Sequence, residues 1–301
     1  MNKYIKLLYD KRYRFNVLAS HGYFNRMEDK LFLEKLYKIV FKKNINWEMP
    51  NSFNEKLQWL KIYNRNPQYT MMVDKYNVKK YISETIGEQY VIPTLGVYDS
   101  FDDINFDILP SKFVIKTTHD SGGVVICKNK NCFNFEEAKR KINKSLSRNY
   151  YYTGREWPYK NVRPQIIVEK YMEDTCNQII DNWKFFCTNG KPFLYYKTVG
   201  GGHSENMTLT FLDINTDKRV NLIHNLFPVE KEEFPIPEKV QEMKSLAAKL
   251  SEGIPFVRVD FYLVNDNVYF GELTFFPDSG FQPYHPEGAD EWLGSFINLP
   301  I

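Results

Sequence analysis

The 301-residue sequence has no run of eighteen apolar residues, roughly the length a helix needs to cross a bilayer. Charge interrupts its opening from Lys3 onward, so the uncharged core of a secretory signal is missing and the chain is expected in the cytoplasm. Cysteine is scarce: Cys127, Cys132, Cys176 and Cys187 form no C-x-x-C pair, which supports neither a zinc site nor a disulfide framework and leaves reduced structural thiols. No stretch dense in Gly, Ser or Pro reads as a flexible linker, and there is no internal repeat, so subdomains packed around one site are expected. An excess of one charge is also lacking. The 40 basic and 37 acidic side chains leave +3, which argues against a dedicated nucleic-acid binder.

What is present suits a folded protein, with 43% of residues apolar or aromatic. The opening MNKYIKLLYDKRYRF is locally basic with Leu and Tyr between the charges, a pattern that fits an anionic membrane surface, a partner or a solvated helix face. Residues 24–41 set Leu31, Phe32, Leu36, Ile39 and Val40 near helical spacing. A second helix is expected in FNEKLQWLKIY, where Ser52 and Glu55 make a Ser-x-x-Glu capping pattern and Phe53, Leu57 and Leu60 share a face. DKYNVKKYISETIG reads as a third helix closed by a left-handed Gly87, and QYVIPTLGVYD as a strand running into a Pro-Thr turn.

From Lys112 the texture becomes strand, loop, strand, helix: KFVIK, THDSGG, VVICK, then FNFEEAKRKINKSLSR with Ala138, Ile142 and Leu146 on one stripe. QIIVEKYM, NWKFFCTNGKPFLYYKTV and MTLTFLD continue as strands, with Asn189-Gly190 as a hairpin turn. EKVQEMKSLAAKLS is a helix with Val240, Met243, Leu246, Ala247 and Leu250 on its buried face, and FVRVDFYLV and NVYFGELTFF follow around an Asn265-Asp266-Asn267 turn.

Strand alternation gives the chemistry its first foothold. Arg258 and Asp260 share one face of FVRVDFYLV, and the turn brings Glu272 across from or diagonal to Asp260. Two carboxylates aimed at one spot need either a hard cation such as Mg²⁺ or an ion pair with Arg258, and the pattern alone does not choose. Lys116 ends an apolar strand just before Gly122-Gly123, an arrangement that suits phosphate oxygens or merely a turn; His119 and Asp120 fit loop caps or ligands equally. Gly200, Gly201, Gly202 and His203 form a loop that could close over a substrate. His203, His224 and His285 taken singly read as structural or surface residues.

In order and spacing, the DKYNVK helix, the VIK strand with its glycine loop, IIVEKYM, the RVD strand and FGELTFFPDSG resemble the ATP-grasp enzymes over about residues 70 to 285. FNEKLQW and FGELTFFP resemble the TupA-like, teichuronopeptide-type branch. The resemblance implies an α+β ATP-grasp fold, with a helical N-terminal region at 1–70, the start of the core at 71–110, a small α/β lid at 111–168 and a mainly antiparallel C-terminal subdomain at 169–301. It implies ATP and Mg²⁺ as cofactors. Lys79 and Lys116 would hold ATP phosphates beneath Gly122 and Gly123; Glu169, Lys170, Tyr171 and Met172 would line adenine, and Asp181 would meet the ribose. Lys184 and Lys197 would be further phosphate contacts. Arg258, with Lys116, would stabilise the transferring phosphoryl group, and Asp260 and Glu272 would hold the metal, with Thr274 where many relatives have Asn. The activity implied is carboxylate–amine ligation through an acyl phosphate. Its partners would be a small amine or amino acid and a saccharide acceptor, with no nucleic acid; the basic N-terminal segment could hold the enzyme near the membrane or a lipid-linked glycan at the inner face. Two other readings compete: a glycosyltransferase, for which Asp102-Asp103 is the nearest acidic pair, and a carbohydrate-binding module using Trp157, Tyr159 and Trp183 as platforms.

Overall fold

The computed structural model describes residues 3–175, 180–199 and 207–300. Its front is helical: α1 (Lys3–Tyr9), α2 (Lys11–Ser20), α3 (Asp29–Phe41), α4 (Phe53–Tyr63), α5 (Gln68–Val73) and α6 (Val78–Thr85). On α3 the buried face is Phe32, Leu33, Leu36 and Tyr37. Leu31, expected inward, is exposed, because the helix turns Phe32 and Tyr37 onto Phe15 of α2 and its neighbours. Helix α4 starts as its sequence dictates: Ser52 Oγ accepts from the Glu55 N–H at 3.3 Å while Glu55 Oε2 accepts from the Ser52 N–H at 3.2 Å.

Helix α6 begins later than its periodicity promised. Asp74 Oδ1 accepts from the backbone N–H groups of Tyr76 and Asn77 at 2.9 and 3.2 Å, so residues 74–77 form a turn built on that side chain before the helix proper. Gly87 has φ +123° and ψ 150°, a conformation open to glycine and outside the left-handed helical region expected of it.

A four-stranded antiparallel sheet follows, from β1 (Thr94–Tyr98), β2 (Phe113–Thr117), β3 (Val124–Cys127) and β4 (Ile166–Lys170), in the order β1-β4-β2-β3. Strand β1 starts only after Pro93, which has no N–H to give a ladder, so QYVI is not strand. Helix α7 (Phe135–Leu146) buries Ala138 and Ile142 on this sheet, and α8 (Tyr151–Gly154) leads back to β4. The boundary expected between residues 168 and 169 thus falls inside β4.

The larger sheet has five antiparallel strands in the order β10-β9-β5-β6-β7: β5 (Asp181–Thr188), β6 (Lys191–Val199), β7 (Thr208–Asp213), then β9 (Val257–Val264) and β10 (Asn267–Thr274). Two short strands, β8 (Ile223–His224) and β11 (Tyr284–His285), pair with each other, and α10 (Ala289–Ser295) packs on α4. Both expected tight turns form, with Asn189 and Gly190 at φ 44° and 77° and Asn265 and Asp266 at 48° and 59°. Between β8 and β9, α9 (Lys239–Leu250) lays Val240, Met243, Leu246, Ala247 and Leu250 on the sheet, all buried as the stripe required. The main core is this contact plus the aromatics Phe53, Trp183, Phe185, Phe186 and Phe256. Cys127, Cys132 and Cys187 are free thiols; Cys176 lies outside the described residues.

Candidate active site

The β9–β10 register settles the first question. Glu272 pairs directly with Asp260, and Thr274 with Arg258, after an irregularity between Phe270 and Glu272. Asp260 is buried and Glu272 about half exposed. Arg258 grips both carboxylates: Nε donates to Asp260 Oδ1 at 2.7 Å, and Nη2 donates to Asp260 Oδ2 at 2.8 Å, Glu272 Oε1 at 2.7 Å and Thr274 Oγ1 at 3.0 Å. Lys184, opposite Asp260 on β5, adds a second cation on Oδ2. Burial pushes the Glu272 pKa up, but Arg258, Lys184 and Lys75 outweigh it and hold the group at about 2. Of the two ways to reconcile the carboxylates, the ion pair with Arg258 is formed.

That arrangement still fits Mg²⁺. The donors are two carboxylates and a hydroxyl, all hard oxygens, and Glu272 keeps an exposed edge. Among the described residues no group of three His, Cys, Asp or Glu side chains could hold a metal, so a shell built on Asp260 and Glu272 would need Thr274 or water to complete it.

A second cluster sits on the smaller sheet. Val114 of β2 is the register partner of Glu169 on β4, which leaves the Glu169 carboxylate between Lys116 Nζ at 2.6 Å and Lys79 from α6. Burial works against the Glu169 anion, yet Lys116 and Lys79 overcome it and its pKa lies below the ordinary value. Burial also lowers the Lys79 pKa, while at Lys116 it opposes, and loses to, the rise caused by Glu169. Beyond Glu169, Tyr171 and Met172 help line a cleft of about 290 Å³, with Lys112 and Lys128 on the other wall. Lys170 is exposed, and its N–H is taken by Pro93 O at 3.0 Å. Asp181 pairs with Lys197 at 2.8 Å.

Lys75 joins the clusters and was not singled out from the sequence. Its N–H donates to Thr118 O at 3.1 Å, and the ammonium of its half-buried side chain donates to Asp120 O. Burial lowers its pKa against Glu272, Asp120 and Glu169, all close enough to raise it. The signal was there: Asp74 is the anchor of the turn that aims Lys75 inward, whereas helical spacing drew attention to Lys79.

The glycine loop folds back on its own strand. The Asp120 carboxylate accepts from Thr117 and Ser145 hydroxyls and is buried, so it is an internal tie of the loop. His119 is likewise buried, with Nε2 3.1 Å from Arg148 O. Gly122, at φ +106°, has open space around it, whereas a Cβ on Gly123 would lie 1.9 Å from Thr117 Oγ1. His285 is exposed; His224 is buried against Asp278. Gly200, Gly201, Gly202 and His203 lie outside the described residues.

Of the residues named for the competing readings, Trp183 is fully buried and Trp157 nearly so, leaving no stacking platform at either, while Tyr159 is half-buried; Asp102, in a single turn, is paired with Lys139 at 2.6 Å and Asp103 is exposed.

Two antiparallel sheets bearing facing clusters of lysine and carboxylate define a protein of the ATP-grasp class. The chain belongs to the TupA-like ATPgrasp family, whose model matches residues 55–298. Among solved structures it is similar to D-alanine–D-alanine ligase from Helicobacter pylori, at 13% identity and a TM-score of 0.43 over 82% of this chain and 70% of that one. It is also similar to the D-alanine–D-alanine ligase from Bacillus anthracis complexed with ATP, at 18% identity and TM-score 0.38 over 68% of this chain and 55% of that one. An N5-carboxyaminoimidazole synthase from Aspergillus clavatus matches at 13% and 0.39 over 69% of this chain and 45% of that one. The chain thus spans between 45% and 70% of these proteins' length. A comparison with curated proteins finds no match.

Proposed function

We propose that this protein is a Mg-ATP-dependent carboxylate–amine ligase. The observation that carries the reading is the pair of clusters linked by Lys75: cations from the small sheet and α6 on one side, Arg258, Asp260, Glu272 and Thr274 on the other. Phosphoryl transfer to a carboxylate is opposed chiefly by repulsion between anions, and this strip supplies the compensating charge in a largely buried setting. In this reading Lys79, Lys116 and Lys75 meet phosphate oxygens under the Gly122–Gly123 loop, and adenine lies in the cleft by Tyr171 and Met172, near Lys170 and the Glu169 backbone. Asp181 serves the ribose. The small sheet acts as lid and the large sheet as base.

Asp260, Glu272 and Thr274 would hold Mg²⁺, which when bound neutralises phosphate charge and orients the phosphates. Arg258 and Lys184 then have charge to offer the transferring group. A substrate carboxylate oxygen attacks the γ-phosphorus and its bond to the β-bridging oxygen breaks, giving an acyl phosphate and ADP. The amine, having shed a proton, attacks the acyl carbon, and phosphate leaves.

The family supports a role in building a cell-surface polysaccharide or its precursor, such as an amide between an amino acid and a uronic acid. ADP release measured against amino acids combined with uronic-acid glycans tests this. Asp260→Asn or Glu272→Gln should abolish turnover by at least about 100-fold with the melting curve kept cooperative, and normal turnover by either variant contradicts the assignment.

No helix among the described residues is long and apolar enough to cross a membrane. Peripheral contact is supported by α1, where Ile5, Leu7, Leu8 and Tyr9 are exposed beside Lys6, and by a groove of about 560 Å³ lined partly by Lys11, Arg12 and Lys42. Removal of residues 1–10 should abolish sedimentation with anionic liposomes, and equal sedimentation of both forms excludes the contact.

A further inference from the structure

The loop that follows β10, Pro277-Asp278-Ser279-Gly280, is not used by the chemistry above and is held by more buried bonds than a connection needs. Asp278, Ser279 and Gly280 have φ of 49°, 54° and 64°, three left-handed residues in succession, two of them with side chains that disfavour it. The loop is clamped from beneath. Fully buried Lys61 of α4 donates to Ser279 O and to Gly154 O, each at 2.7 Å, and Gln58 Nε2 donates to Gly280 O at 2.6 Å. Ser279 Oγ donates to buried Glu156 Oε1 at 2.6 Å. A side chain on Gly280 would meet Gln58 Nε2 at 2.4 Å, so the loop has no room to relax.

The consequence of this clamp is to hold up one group, the Asp278 carboxylate, which keeps about a third of its surface exposed. Its one side-chain bond among the described residues is from His224 Nε2, at 3.1 Å to Oδ2. The Leu226 N–H points to His224 Nδ1 at 3.4 Å, which leaves Nε2 as the ring nitrogen that faces Asp278. No lysine or arginine nitrogen of the described residues lies within ion-pair distance: Arg258 is engaged by Asp260 and Glu272, and Arg12 donates to Phe281 O at 3.0 Å. Both arginines are nonetheless near enough, with His224, to keep the carboxyl ionised against the burial that would raise its pKa.

We propose that Asp278 is the binding residue for the protonated amine of the second substrate, with its Oδ1 as the ammonium acceptor. The placement follows the chain: Asp278 comes four residues after Thr274, the end of the strand that carries Glu272, and Arg258 of the carboxylate cluster lies near enough to act on its charge. A strained, rigidly supported carboxylate with one oxygen open and no lysine or arginine partner among the described residues suits a primary ammonium, whose loss of a proton to solvent then leaves the nucleophile in place. This inference rests on the ligase reading and adds to it which residue selects the amine.

The test uses the full chain saturated with Mg-AMPPNP and isothermal titration of the twenty standard amino acids, D-alanine, glucosamine and galactosamine, each beside its N-acetyl form. At least one amine should bind, its N-acetyl form at least 100-fold more weakly. Asp278→Asn should weaken that amine at least tenfold with Mg-AMPPNP affinity within twofold of the parent. Asn adopts the left-handed conformation as readily as Asp and can still accept from His224, so the variant should keep its melting temperature. If Mg-AMPPNP binds but no amine does, or if the amine binds Asp278→Asn or survives N-acetylation undiminished, the amine site is wrong while the ligase reading stands. If Mg-AMPPNP itself fails to bind, both fall.

Discussion

Glu169 shows how much one side chain carries. It is buried with Lys79 and Lys116, and removing it leaves two cations with little water to solvate them. Glu169→Ala should therefore cost about 3 kcal/mol at neutral pH, the scale for breaking a buried pair from one side. The sign with pH follows from the lowered pKa of Glu169: its contribution is present above the ordinary value of 4.5 and is lost as pH falls through the lower folded value. Melting temperatures followed from pH 7 into acid should fall more steeply below pH 4.5 for the parent than for Glu169→Ala, and parallel curves would refute the pairing. At this scale the sequence was uneven. Asp260 and Glu272 could be placed together because a strand alternates every second residue and the Asn-Asp turn fixes the register. Lys75 could not, because its direction comes from the Asp74 turn, a feature that side-chain hydrogen bonding creates and periodicity does not record. The neutralisation of Asp260 by Lys184 was equally hidden, since it depends on β5 lying beside β9, a pairing of strands far apart in the chain.

Elements with local instructions form where the sequence put them. Helix α4 has its capping box, and the two hairpins have Asn-Gly and Asn-Asp turns. Ser52→Ala should lower stability by about 1–2 kcal/mol, measured by urea denaturation, since it removes the cap of α4 and the buried hydroxyl contact with Tyr37. Elements shaped by tertiary contact were less legible: α3 rotated Leu31 outward, and β1 was shortened by Pro93. The glycine loop offers a test of packing against flexibility. At Gly123 an added methyl would meet Thr117 and Ser145 at 1.9 and 2.3 Å, so Gly123→Ala should destabilise the loop by about 1–3 kcal/mol. At Gly122 the space is open but φ is +106°, so Gly122→Ala should act through backbone strain alone. Hydrogen exchange of the 117–124 amides separates the two, with Gly123→Ala accelerating exchange at Thr117, whose N–H bonds Gly123 O at 2.8 Å.

For the whole molecule, the order of elements was readable because the ATP-grasp resemblance depends on order and spacing, and the family match over residues 55–298 agrees with it. The closing of two sheets on one strip was not, since it arises from long-range packing: Lys75 reaches Asp120 across the fold, and Lys61 reaches Gly154 and Ser279. The central claim is that this strip binds Mg-ATP, and calorimetry and melting with Mg-AMPPNP address it most directly. At a ligand concentration 100 times Kd the parent should gain about 2.7 kcal/mol of apparent stability. Asp260→Asn should lose that gain, and UDP-glucose should give none. Stabilisation by UDP-glucose without any by Mg-AMPPNP would contradict the account.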